Sequence, residues 1–418
     1  MTLPAAKRPV GLLALLALGI NGIVGVGIFF APADVARGAP GWQSILVFAV
    51  TGLALAPVAV TFSTIGRRFD EDGGPVVFAR AAFGEMASFL VGWIAYVSAV
   101  ASTTAVMSGL TAAVAPSAWG PHSRGLAAAG LATGLAVVCA AGIRLSAWVW
   151  TALTALKLVP LVALVAAYAF AGFPGPASPA TPAPALSLLR AALLATFTYQ
   201  GFEIVPVIAG QVRSSERTIP WAIGGALGSS ALLYVALQAA CVAALPALGS
   251  SGAPLADTAA VFGGPLLARV VALGTSVSAL GIAFGMVATT PRYLSALATG
   301  GRSLPFDFER IAGNGVPLRA LFVTWVLVVS LLQAGSLNEF FALSSVAVLA
   351  QYGVTALSLM TLARRREQGL GPPDAWSSVP TIVVTIALVS GAHAREVGVG
   401  VGALFLGLLL RGYHRRRR

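Results

Sequence analysis

Apolar stretches of about 20 residues recur from Gly11 to Leu410 with only short polar gaps between them. About 20 apolar residues in a helix match the roughly 30 Å hydrocarbon core of a bilayer. The pattern therefore predicts helices near 11–31, 42–67, 82–114, 125–142, 145–171, 187–211, 218–246, 264–298, 317–334, 338–362, 376–392 and 396–412. The expected fold is an all-α integral membrane protein of 12 transmembrane helices.

One segment interrupts the rhythm. Residues 172–186 are rich in proline, which favours extended and semi-rigid backbone. This linker divides predicted helices 1–5 (residues 1–171) from helices 6–10 (187–362), with helices 11 and 12 (376–412) outside both blocks. Five is odd, so the second block enters the membrane from the opposite side, the geometric condition for an inverted-topology repeat. All 418 residues read as a single membrane domain.

Composition agrees: 57% of residues are hydrophobic and 10% charged, against about 25% charged in a soluble domain. A net charge of +12 raises the question of nucleic acid. The charges sit at helix ends, not in a run with interleaved aromatics, so no nucleic-acid partner is expected. With the N-terminus in the cytoplasm, 20 Lys and Arg residues fall inside and only Arg37, Arg124, Arg190, Arg269 and Arg395 outside. The positive-inside rule thus predicts both termini cytoplasmic, in a multi-pass protein of the cell membrane. Lys7-Arg8 and the small residues at Ala31-Pro32-Ala33 imitate a secretory signal, but a retained first helix keeps the glycine cluster discussed next. Cys139 and Cys241 lie in apolar stretches as small hydrophobes.

Two helices carry breaks. In predicted helix 1, Gly22, Gly25 and Gly27 stand where a straight helix prefers Ala or Leu, and each glycine costs about 1 kcal/mol relative to alanine. Close helix packing is one reading, although the spacing makes no clean stripe of small residues. The other is an unwound turn that leaves the N–H groups around Gly25 to Ile28 free at a positive helix end, where a carboxylate binds without any charged side chain. In predicted helix 6, Gly201, Glu203, Pro206 and Gly210 lie among Phe197, Tyr199 and Phe202. Pro206 lacks a donor, which frees the carbonyl of Phe202 for an ammonium group. A zwitterion would then have its carboxylate on helix 1 and its amine on helix 6. Breaks at matching places in two halves point to a site at the membrane midplane.

Two ionisable residues lie at membrane depth. Glu203 is 13 residues from Arg190 and 10 from Arg213, the flanking arginines, and an acid there needs a purpose: it either fastens free amides of the broken helices or carries a proton. Lys157 is the only lysine after Lys7 and falls in the middle of predicted helix 5. It either pins helices together or gains and loses a proton during a cycle. Its cation could replace a bound Na⁺ and cross-link helix 1 near Gly22 to helix 8, with Ser276 and Ser278 as candidate partners.

At these segments the chain resembles the amino acid, polyamine and organocation transporter family. Gly25-Val26-Gly27-Ile28-Phe29 resembles the family's G-S-G-I-F signature and Gly201-Phe202-Glu203 its G-F-E. Arg67-Arg68-Phe69, Gly73-Gly74-Pro75, Ala82-Phe83-Gly84 and Gly92-Trp93 are similar to its helix 2–3 connection. Leu156-Lys157-Leu158-Val159-Pro160 resembles helix 5 of proton-coupled members, in which the lysine takes the place of a sodium ion, and the segment from Arg217 to Ile223 resembles the entry into helix 7. The resemblance implies a five-plus-five inverted repeat with discontinuous helices 1 and 6, an amino acid substrate and alternating access. It also implies that Phe197 is an aromatic gate and that Ile23, Val26, Gly27, Phe197 and Gln200 lie at the substrate, in a pocket that includes Gly25, Gly201 and Phe202. Val26 replaces the usual serine, and Gln211 stands where many members have a glutamate.

The resulting expectation is proton-coupled amino acid symport with Lys157 and Glu203 as coupling residues. Amino acid or polyamine exchange, with Lys157 structural, is the alternative within the class, and a transporter-like nutrient sensor the one outside it. A membrane enzyme is not expected: His122, His393 and His414 fall at loops or ends and no HExxH or GxSxG motif occurs. No metal or cofactor is expected. With one polar residue, Gln200, in the pocket, a neutral substrate is favoured.

Overall fold

The computed structural model describes residues 10–25, 27–114, 119–142, 147–176, 182–212, 214–298, 304 and 307–416. They form helices joined by turns, and one β-bridge pairs Val10 with Val212. Both sequence breaks are present. Helix α1 (Leu12–Ile23) meets α2 (Gly27–Gly38) at 44°, and α9 (Ala185–Tyr199) meets a 3-10 segment, Phe202–Gln211, at 40°.

Between them lie α3 (Trp42–Ala54) and α4 (Ala56–Gly66), one apolar stretch bent at Leu55, with Pro57 supplying no amide to the turn before it. The predicted helix 82–114 is divided. Ala82 and Phe83 close a short helix α5 (Pro75–Phe83), Gly84 turns the chain at φ +85°, and α6 (Glu85–Val114) follows. Next come α7 (Pro121–Ala140) and α8 (Ala147–Phe170).

After the second break, α10 (Ser215–Ala244) leads to α11 (Pro254–Ala298), which Gly264 interrupts at φ +70° ahead of Pro265. The predicted helix 264–298 is the part beyond this interruption; the turns before it were not foreseen. Helices α12 (Leu318–Ala334), α13 (Leu337–Arg365), α14 (Ser378–Val389) and α15 (Ala394–Arg416) complete the chain. A reciprocal cap fixes the start of α13: Ser336 Oγ accepts from Glu339 N–H and the Glu339 carboxylate from Ser336 N–H.

Among the described residues, seven helices are long and apolar enough to cross a membrane, or nine if each bent pair is one span. Two shorter apolar helices accompany them, Leu156–Phe170 and Leu318–Ala334. Several hydroxyls inside these helices are satisfied locally, as hydrocarbon favours: Thr104, Thr111 and Thr133 each donate to the carbonyl four residues back. Helix α6 packs against α11 and α13, while α1 packs against α10 and α2 against α9. The two broken helices are thereby brought together in the interior.

Candidate functional site

The glycines of the two breaks touch. Gly201 has φ +127°, a region closed to most side chains, and a Cβ there would run into the Gly22 carbonyl and the Ile23 nitrogen. A Cβ on Gly22 would lie 2.9 Å from the Gly201 oxygen. At the start of α2, a Cβ on Gly27 would sit 3.0 Å from the Phe197 ring. Close packing and unwinding, alternatives in the sequence, are one arrangement here, since each unwound turn packs on the other.

Beside this junction lies a cavity of about 240 Å³. Gly22, Ile23, Gly25 and Gly27 line it from the first break, and Phe197, Gln200, Gly201 and Glu203 from the second. Val26 lies outside the described residues. Phe202 does not line the cavity: it is fully buried on the far side, 5.9 Å from the Phe62 ring and 5.5 Å from Tyr352, because the turn at Gly201 rotates the next side chain away.

Helix ends set the electrostatics. The first N–H groups of α2, beginning at Gly27, have no partner within the helix, and at the end of α9 the Phe197 carbonyl accepts from the Gln200 N–H while the carbonyls after it have no partner within the helix. A positive and a negative helix end therefore meet at one cavity, an arrangement that attracts opposite charges. Two details differ from expectation. The Gly25 N–H is already donated to the Ile23 carbonyl at 2.6 Å, so the free amides start later. The segment with Pro206 is a 3-10 helix, whose bonds run from i to i+3, so the missing proline N–H relieves the carbonyl of Glu203 and not that of Phe202.

Glu203 fastens the second break. Its Oε2 accepts from Gly201 N–H at 2.8 Å and from the Tyr352 hydroxyl at 3.1 Å, and Tyr352 is itself packed edge-on to Phe62. Glu203→Ala leaves both donors without their acceptor and should cost about 1–3 kcal/mol. Thermal unfolding in detergent measures this, with Glu203→Gln, which keeps an acceptor, expected to lose less.

Lys157 is 2% exposed and lies outside the cavity lining. Its ammonium donates at 2.9 Å to the Asn21 carbonyl, in the last turn of α1. The expected link to the first broken helix therefore exists, one residue from Gly22. The serine partners are not joined to it: Ser276 donates to its own helix at Ala272, and the buried Ser278 hydroxyl has no partner among the described residues. Helix α11 nevertheless presses on α8, with Gly274 seated against Pro160.

Several residues at the cavity escaped the sequence reading. Phe341 of α13 stacks on the lining Phe197 at 4.3 Å, and the cavity extends to Gly73, Pro75 and Tyr293. Ser98 and Ser102 of α6 line the wall, with Ser344 and Ser345 of α13 behind Gln200. The four-residue spacing of Ser98 and Ser102, which puts both on one helix face, was the available signal.

Comparison with known proteins agrees with this geometry. A family model described as amino acid permease matches residues 10–395. A Mycobacterium tuberculosis protein known as an uncharacterized transporter is 29% identical over 405 residues, 95% of this chain and 90% of its own. The Bacillus subtilis serine/threonine exchanger is 26% identical over 310 residues, 72% of this chain and 70% of its own. A mitochondrial cationic amino acid transporter of Arabidopsis thaliana is 23% identical over 384 residues, 86% of this chain and 62% of its own. With two broken helices presenting opposite ends to one cavity and a family match over nearly its full length, the chain belongs to the amino acid permease family of the amino acid, polyamine and organocation superfamily.

Proposed function

We propose that this chain carries an amino acid across the cell membrane by alternating access, with 12 membrane segments arranged as two opposed five-helix blocks and both termini in the cytoplasm. The observation that carries this reading is the contact of Gly22 with Gly201, which brings the free amides of α2 and the free carbonyls of α9 to the same cavity. The substrate carboxylate binds the first and its ammonium the second. On the proposed orientation the Phe197–Phe341 stack shuts the outer side, while the cavity reaches the inner connection at Gly73 and Pro75. Outward opening requires that stack to part.

Protons are the proposed coupling ion. Lys157 supports this: a buried amine that holds the end of α1 more strongly in its charged form than when neutral links protonation to the first break. Uptake of a labelled amino acid panel into proteoliposomes, with and without an inward proton gradient, tests the scheme. Wild-type uptake should rise with the gradient, and Lys157→Met should abolish that stimulation. A variant that keeps it removes the coupling role from Lys157. Exchange is the second reading, favoured by the similarity to a serine/threonine exchanger. Uptake that ignores the gradient and requires amino acid inside the vesicle selects exchange.

A further inference from the structure

We propose that Ser98, Ser102 and Gln200 read the side chain of the transported amino acid and select a small neutral one that donates a hydrogen bond, a hydroxyl above all. The inference rests on the transport reading and names its substrate class.

The argument is one of protons. Gln200 is held at both ends of its amide: Oε1 accepts from the Ser344 hydroxyl at 2.9 Å and Nε2 donates to Ser345 Oγ at 3.3 Å. A serine hydroxyl has one proton and two lone pairs. Ser344 commits its proton to Gln200, whose carbonyl oxygen can only accept. At the 2.6 Å contact between the Ser102 and Ser344 oxygens the proton must then come from Ser102. Ser98 is turned the same way, its hydroxyl directed to the Ser344 carbonyl at 3.4 Å. Both α6 serines line the cavity, whereas Ser344 lies behind them and is fully buried. With their protons drawn into the wall, Ser98 and Ser102 offer the cavity lone pairs.

A wall of acceptors needs a donor opposite. A side-chain hydroxyl supplies one and can also accept from the second N–H of the Gln200 amide. A carboxylate would set acceptors against acceptors, and among the described residues lining the cavity there is no Lys, Arg or His to offset its charge. A cationic side chain could donate to the wall, but its charge would draw it to the one lining carboxyl, Glu203, whose Oε2 fastens the second break through Gly201 and Tyr352. An aliphatic side chain leaves the wall without a partner. Val106, Ile282 and Met286 are among the apolar residues of the lining and restrict size.

Threonine and valine are near-isosteres that differ by this hydroxyl, so their ratio isolates it. In proteoliposomes the full-length wild type should carry L-threonine with a kcat/KM about tenfold or more above L-valine, the scale of one hydrogen bond made or lost in a closed site. Ser102→Ala should lower that ratio about tenfold. Ser344→Ala, which frees the Ser102 proton to turn toward the cavity, should lower it as well. The wild-type ratio needs no variant to fold. Preference for valine, leucine, aspartate or lysine overturns the inference, as does a ratio that both variants leave unchanged, and in those cases transport itself stands. Vesicles that accumulate no amino acid of any kind overturn the transport reading, and this inference with it.

Discussion

Gly201→Ala should abolish transport. The residue sits at φ +127°, where an L side chain is strained by about 1–3 kcal/mol. Its Cβ would also occupy the space of the Gly22 carbonyl and the Ile23 nitrogen, which are backbone atoms and cannot rotate aside. Relief requires the two broken helices to separate, and overpacking of this kind adds about 1–3 kcal/mol more. Separation moves the free amides of α2 away from the free carbonyls of α9, so binding is lost even if the bundle survives. The control is Gly228→Ala in α10, where an added Cβ meets nothing within 4 Å. Substrate binding by the purified protein, followed beside thermal unfolding, should show binding lost in the first variant and both properties kept in the second. Normal binding by Gly201→Ala would remove the contact between the breaks from its central place.

Loss of either partner of the Arg190–Glu396 pair should destabilise the fold by about 3–5 kcal/mol. The guanidinium of Arg190 in α9 forms two bonds to the carboxylate of Glu396 in α15, at 2.5 and 2.6 Å, and Glu396 is 5% exposed. The same carboxylate accepts from His393 N–H at the start of α15. Truncation of one partner leaves the other charge buried without compensation, which costs more than the pair contributes when whole. Arg190→Leu with Glu396→Leu should therefore lose much less than the sum of the single variants. Thermal unfolding of the three proteins in one detergent measures the difference, and additive losses would mean that each residue acts alone. The pair ties α9, the first half of the second broken helix, to a helix outside both proposed repeats. Its partners are 206 residues apart, and the sequence marks Arg190 as an outward charge and as a flank of the second break, with no sign of its partner.

Legibility followed the range of the physics involved. Glycine in a helix interior is costly wherever it occurs, so Gly22, Gly27 and Gly201 announced breaks without knowledge of their surroundings. An acid and a lysine at membrane depth likewise require partners, and each has one: Gly201 and Tyr352 for Glu203, and the Asn21 carbonyl for Lys157. The direction of Phe202 was not legible. Past an unwound turn the helical phase is reset, and a side chain expected in the pocket packs on Phe62 instead. The serines were hidden for another reason. A hydroxyl in a membrane helix bonds its own carbonyl by default, as Thr104 and Thr111 do, and sequence alone does not mark Ser102 as the exception.

Local and compositional forces thus fixed the class of this protein. Hydrophobic length dictates membrane helices, the cost of glycine dictates where two of them break, and unpaired backbone at their ends dictates an affinity for opposite charges. Tertiary structure decided what those ends share. The two breaks are about 180 residues apart along the chain, and only their packing makes one cavity of them. The hydroxyl contacts around Gln200 are set in the same way, by packing among α6, α9 and α13 that no local propensity encodes.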